Sequence, residues 1–89
     1  MGWAIAIDRA AKRELDKLDP QARNRIARFL FERVAKLEDP RSLGEALRGS
    51  ELGEFWKYRV GDFRVIAKIE DQQLLILVVR IGNRREIYR

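Results

Sequence analysis

The feature that most constrains the fold is a Gly61-Asp62 pair between two strand-like segments, residues 55–60 and 63–69. Both segments are predicted to be β-strands. A Gly-X pair in a two-residue loop favours a type II′ β-hairpin turn. Such a turn predicts the pairing of the two strands directly: Val60 with Phe63, Arg59 with Arg64, and Tyr58 with Val65.

The predicted hairpin has one apolar and one basic face, because paired residues share a face and successive residues alternate. The apolar face, expected to lie towards the helices, carries Trp56, Tyr58, Val60, Phe63, Val65 and Ala67. The other face carries Lys57, Arg59 and Arg64. Like charges directly opposite each other destabilise a sheet, and the hairpin pattern offers no acidic residue to neutralise them. We interpret this face as an anion-binding site; a solvated face on a basic protein is the alternative.

Two helices are predicted before the hairpin, after a short strand at residues 3–7. Asp8 is a suitable N-cap for a helix over residues 9–18. Asp19-Pro20 starts a second helix that runs to about Leu37 and is stopped by Asp39-Pro40. The short link between the helices favours an antiparallel helical hairpin.

The remaining segments complete the element order. Residues 41–54 are predicted to be a loop with one helical turn around 43–47, and residues 70–73 a second turn. A last strand follows at 74–81 and is expected to end at Gly82. The order β-α-α-β-β-β predicts an α+β fold with an antiparallel-rich sheet and a helical hairpin on one face. The chain, residues 1–89, is expected to form a single domain.

The amino-acid composition limits which side chains can take part in catalysis or metal binding. The 89 residues include neither cysteine nor histidine, which excludes disulfides, thiol nucleophiles and histidine bases or ligands. Lysine and arginine outnumber the acids by 19 to 14, giving a net charge of +5, and this balance favours an anionic partner such as nucleic acid. We expect no cofactor and no metal. Because no signal peptide or membrane-spanning segment is visible, we expect a cytoplasmic protein without membrane contact.

Two segments carry a resemblance to a known family. Residues 57–66 (KYRVGDFRVI) and 80–88 (RIGNRREIY) resemble the RelE branch of the RelE/ParE toxin superfamily, and Leu47-Arg48-Gly49 resembles its loop motif. The resemblance implies the toxin of a type II toxin–antitoxin system: a ribosome-dependent endoribonuclease that cleaves mRNA and is neutralised by a RelB-like antitoxin. It implies catalytic positions at Lys57, Arg59, Arg64, Arg84 and Tyr88, and RNA-binding positions at Arg48 and Arg85.

The chemistry implied is attack of the RNA 2′-hydroxyl on the adjacent phosphate, which needs no metal. Lys57, crowded by Arg59 and Arg64, is the predicted base, and Arg64 is expected to stabilise the phosphorane. Arg84 would act at the leaving oxygen and the ring of Tyr88 would stack on a base. Two positions depart from close relatives of RelE: Arg59 replaces a frequent lysine, and Asn83 replaces a frequent histidine. Neither can exchange protons readily.

Two other functions share the same predicted fold or face. A ParE-type toxin would inhibit DNA gyrase without cleaving RNA, and a non-catalytic nucleic-acid-binding module would need only the basic charge. We also expect an antitoxin segment to cover the basic groove and an adjoining apolar face formed by Ile66, Leu75, Leu77 and Val79.

Overall fold

A computed structural model describes residues 2–47 and 55–87, with side chains as far as residue 85. The strands are β1 (Ala4–Ile7), β2 (Glu45–Ala46), β3 (Phe55–Val60), β4 (Phe63–Glu70) and β5 (Leu75–Asn83). The helices are α1 (Arg9–Asp16), α2 (Pro20–Arg28) and α3 (Arg84–Ile87). A π turn (Phe29–Arg33) and three 3₁₀ turns (Val34–Lys36, Pro40–Ser42 and Asp71–Gln73) lie between them.

The five strands form one sheet in the order β1-β5-β4-β3-β2, in which only the β1–β5 pair is parallel. The two longer helices cover one face of this sheet and form the core with it. The core consists of Ala11, Leu15, Ile26, Leu30 and Val34 from the helical side, and Tyr58, Val60, Val65, Ala67, Ile76, Val78 and Ile81 from the sheet. The predicted α+β fold is therefore confirmed, with one small strand and one short helix added.

The hairpin register predicted from Gly61-Asp62 is confirmed. Arg59 pairs with Arg64 and Val60 with Phe63. Gly61 has a φ of +60° and Asp62 stays out of the positive-φ region, as a type II′ turn requires. The apolar face of the hairpin packs into the core as expected.

The second helix differs from the prediction after Arg28. The chain stays helical to Lys36 but passes through a π turn and then a 3₁₀ turn. Its buried residues Ile26, Leu30 and Val34 are each four apart, and this spacing drifts around an α-helix of 3.6 residues per turn. A wider π turn offsets the drift and keeps these side chains facing the sheet.

Two other boundary predictions were wrong. Gly82 does not end the last strand: it pairs with Arg64 inside β5, and the strand runs on to Asn83. The helical turn expected at 43–47 is instead the two-residue strand β2, at the sheet edge beside β3.

No helix in residues 2–47 or 55–87 is long and apolar enough to cross a bilayer.

Candidate active site on the basic sheet face

A groove of about 410 Å³ lies at the end of the sheet where the β3–β4 hairpin meets β2 and α3. Its lining is Gly44, Glu45, Lys57, Tyr58, Arg59, Arg64 and Arg84. The structure thus brings together four side chains that the sequence analysis singled out, from three separate elements. We call this groove the site groove.

Arg64 is the most deeply set cation of the site groove. Only 9% of its surface is exposed, and its Nη1 donates to the backbone oxygens of Phe63 at 3.0 Å and Gly61 at 3.2 Å. These carbonyls belong to the hairpin turn and the strand that leaves it. Because the turn orients the guanidinium, Arg64 is held in place before any anion arrives.

Lys57 has an anionic neighbour that the sequence analysis missed. Its Nζ lies 3.0 Å from Oε1 of Glu45, the residue opposite it in the β2–β3 pairing. The Lys57 side chain is 18% exposed, whereas that of Glu45 is 70% exposed. The hairpin itself supplies no acid to this face, but the neighbouring strand β2 does. Glu45 escaped notice because it lay in a predicted loop, and no pattern in the sequence indicated that this loop pairs with β3.

The segment that leads into the short strand β2 is anchored by two side chains of β3. Trp56 Nε1 donates to the Leu43 oxygen, and the Tyr58 hydroxyl donates to the Pro40 oxygen, both at 2.6 Å. Gly44 has a φ of +74°, and a Cβ there would lie only 2.3 Å from the Lys57 oxygen. Close approach of the two backbones therefore requires glycine.

Burial raises the pKa of the Tyr58 hydroxyl to about 12, which outweighs the opposite effect of nearby Arg41. This phenol consequently remains protonated and bonded to Pro40 at neutral pH. Tyr58 acts as a structural support of the site groove, not as a source of protons.

An ion pair ties the start of this loop to the turn after β4. The two guanidinium Nη atoms of Arg41 lie 2.8 and 3.0 Å from the carboxylate oxygens of Asp71. This bidentate hydrogen bonding lowers the pKa of Asp71 and raises the pKa of Arg41. Together with the bond from Tyr58, it holds the segment that leads to Glu45.

Arg84 enters the site groove from the start of α3. Its backbone N–H donates to the Asp62 oxygen at 3.0 Å, which joins the C-terminal segment to the hairpin turn. Arg85 is exposed and does not line the site groove. Its N–H donates to Oδ1 of Asn83 at 3.1 Å, so Asn83 satisfies a backbone donor at the start of α3.

Two of the predicted site residues, Arg48 and Tyr88, lie outside the described residues. Their predicted roles therefore rest on the sequence alone.

Comparison with known proteins identifies the family. The model of a family described as the ParE toxin of the type II toxin-antitoxin system parDE matches residues 5–88, nearly the whole chain. The chain belongs to this toxin family. Its similarity also extends to the RelE side of the RelE/ParE superfamily, as the sequence analysis predicted. Toxin RelG of Mycobacterium tuberculosis is 28% identical over 89 residues, covering 100% of this chain and 99% of the relative. Toxin RelE of the same organism is 31% identical over 87 residues, covering 98% and 87%.

Solved structures agree with this family assignment. The toxin–antitoxin complex RelBE2 of M. tuberculosis contains a chain with a TM-score of 0.83 and 25% identity, covering 94% of this toxin and 93% of that chain. A doubly arginine-substituted mutant of Escherichia coli toxin RelE in the free state has a TM-score of 0.77 and 25% identity, covering 99% and 92%.

Proposed function

We propose that this toxin is an mRNA endoribonuclease that acts on the ribosome by promoting 2′-hydroxyl attack on the adjacent phosphate. The observation that carries the proposal is the site groove itself, where Arg59, Arg64 and Arg84 converge beside the Lys57–Glu45 pair. Three guanidinium groups suit a phosphodiester, because each can donate two parallel hydrogen bonds to its oxygens. The similarity to toxins named RelE and RelG supports the proposal, because the resemblance to the RelE branch implies this activity.

Arg64 is the group that we assign to the phosphorane. Its fixed orientation allows it to oppose the charge that develops in the transition state without reorganising. Arg59 and Arg84 lie on either side in the lining of the site groove and are both exposed. Arg59 would bind the phosphate, and Arg84 would stabilise the leaving 5′-oxygen, which takes its proton from solvent water.

The proton acceptor for the 2′-hydroxyl is not Lys57, the base predicted from the sequence. A carboxylate at 3.0 Å stabilises the ammonium form of Lys57, the form that cannot accept a proton. Glu45 supplies an exposed carboxylate at the same place. We therefore assign proton acceptance to Glu45 and an electrostatic role to Lys57, which orients the carboxylate and attracts the phosphate.

The other predicted residues keep their proposed roles. Tyr88 would stack on a base of the message, and Arg48 and Arg85 would bind RNA outside the scissile phosphate. Arg85 is exposed, as such a role requires.

A RelB-like antitoxin is the proposed protein partner. Solved relatives include a RelBE2 complex and an archaeal RelE–RelB complex from Pyrococcus horikoshii. The apolar face expected to receive the antitoxin is less exposed than predicted: Ile66 is 6% exposed, and Leu75, Leu77 and Val79 are partly buried. Because these apolar side chains offer little exposed surface, an antitoxin that covers this face would have to bind largely through the charged side chains of the site groove.

The decisive experiment is single-turnover incubation of the purified toxin with ribosomes programmed with a defined mRNA. Cleavage that leaves a 2′,3′-cyclic phosphate and a 5′-hydroxyl would support the proposal. An intact message, under conditions where the toxin arrests growth, would contradict it.

The match to the ParE family supports a second candidate, inhibition of DNA gyrase. The same protein should then cause gyrase-linked DNA breaks and leave ribosome-bound mRNA intact. Assaying both substrates with one preparation separates the two candidates.

A further inference from the structure

A second, larger groove lies between helix α2 and the β3–β4 hairpin, on the other side of Arg59 from the site groove. It has a volume of about 1000 Å³ and is wide open to solvent. Its basic side chains are Arg25 and Arg28 of α2, Arg33 of the π turn, and Arg59 of β3. We call it the arginine groove.

Most of this positive charge is not neutralised within the protein. Arg25, Arg33 and Arg59 form no ion pair with any side chain in 2–47 or 55–85. Only Arg28 has an acidic partner, Glu32 at 3.6 Å, and both side chains are largely exposed. The other acid of the lining, Asp19, accepts the N–H of Ala22 as the cap of α2.

One arginine of the groove lies close against the hairpin turn. A Cβ on Gly61 would lie 2.8 Å from Nη1 of Arg25, so the guanidinium lies directly over this glycine. The contact places Arg25 close to the turn whose carbonyl also orients Arg64. The two grooves are therefore adjacent, since Arg59 lines both and an arginine of each lies against the same turn.

We propose that the arginine groove binds the sugar–phosphate backbone of RNA outside the scissile phosphate, which extends the RNA contact from the site groove across the hairpin turn to α2. This inference rests on the proposed nuclease function. Exposed arginines along an open groove can each contact a phosphate, and such contacts position RNA without reading its bases. The arginine groove thus strengthens RNA binding, while Arg64 and its neighbours in the site groove act on the scissile phosphate.

The test is the triple variant Arg25→Ala/Arg28→Ala/Arg33→Ala, which substitutes no residue that lines the site groove. Its control is Arg9→Ala/Arg13→Ala/Lys17→Ala, which removes the same charge from exposed positions on and just after α1 that do not line either groove. The double variant Arg28→Ala/Arg33→Ala keeps the Arg25–Gly61 contact and replaces the triple variant if the latter unfolds. Binding to programmed ribosomes, to ribosomes without message and to the free message is measured over a range of salt concentrations.

We expect the groove variant to bind RNA at least tenfold more weakly than the control. The slope of log affinity against log salt should fall by about 2, since each lost phosphate contact removes about 0.7 to 0.9. The single-turnover cleavage rate at saturating toxin should stay within about twofold of the parent. Weaker binding to the free message indicates mRNA as the source of the backbone, and weaker binding to empty ribosomes indicates ribosomal RNA.

Equal RNA affinity of the groove variant and the control would overturn the inference. So would a loss confined to antitoxin binding, because the arginine groove would then be a protein-binding surface. Absence of cleavage by the parent toxin would contradict the proposed nuclease activity alone, because RNA affinity is measured independently of cleavage.

Discussion

The carboxylate of Glu45 lies 3.0 Å from the ammonium of Lys57 across two paired strands, in a groove whose other charged side chains are arginines. This contact changes the chemistry that the sequence suggests for the basic face. A cluster of cations alone favours a lysine base, whereas a lysine paired with a carboxylate favours the carboxylate as the proton acceptor.

Glu45→Gln should lower the single-turnover cleavage rate about 10²- to 10⁴-fold, the usual contribution of a general base. Lys57→Arg keeps the positive charge and should retain most of the activity. Glu70→Gln, which alters a carboxylate 4.0 Å from Lys68, is the matched control. Full activity of Glu45→Gln would exclude Glu45 as the base. Inactive Lys57→Arg with active Glu45→Gln would return that role to Lys57.

Arg64→Ala should cost about 3–4 kcal/mol of transition-state stabilisation, by analogy with the loss of one oxyanion donor. The corresponding loss of rate is measured in single turnover at saturating ribosomes, with affinity determined separately. Arg85→Ala, at an exposed position outside the site groove, is the control and should affect affinity more than rate. An Arg64→Ala toxin that cleaves at the parent rate would show that the catalytic site lies elsewhere.

Gly44→Ala should disrupt the β2–β3 pairing, because the added Cβ would meet the Lys57 oxygen at 2.3 Å and the φ of +74° disfavours a side chain. We expect a loss of about 1–3 kcal/mol in the free energy of unfolding, together with slower cleavage as Glu45 moves away from Lys57. Ala46→Ser, at the next exposed position of β2, should leave both quantities near those of the parent. Denaturant unfolding and single-turnover cleavage measure the two effects, and a stable, fully active Gly44→Ala would contradict the assigned geometry.

Tyr58→Phe should destabilise the toxin by about 1–3 kcal/mol at neutral pH, because the buried Pro40 oxygen loses its donor. The parent should also show an alkaline dependence that the variant lacks. The folded-state pKa of Tyr58 is raised from 10.0 to about 12, so its stabilising effect is complete below pH 10 and is lost as the pH rises towards 12. Denaturant unfolding of both proteins across this interval measures the difference. Parallel pH profiles would show that the hydroxyl is not held in its protonated form by folding.

Features governed by neighbouring residues could be predicted from the sequence. The Gly61-Asp62 turn determines the pairing of Arg59 with Arg64, because a two-residue loop permits only one register. That register, with the alternation of side chains, places Tyr58 in the core and Arg64 on the opposite face. The sequence motifs also indicated the toxin superfamily, to which the comparisons assign the chain.

What required the tertiary structure were contacts between residues far apart in the chain. Glu45 meets Lys57 only because Gly44, the Tyr58–Pro40 bond and the Trp56–Leu43 bond dock a loop against β3. Gly82 remains within β5 because β4 supplies a pairing partner, which outweighs the weak intrinsic preference of glycine for strands. Local patterns define which face of a strand is basic, but only long-range packing decides which carboxylate comes to lie on it.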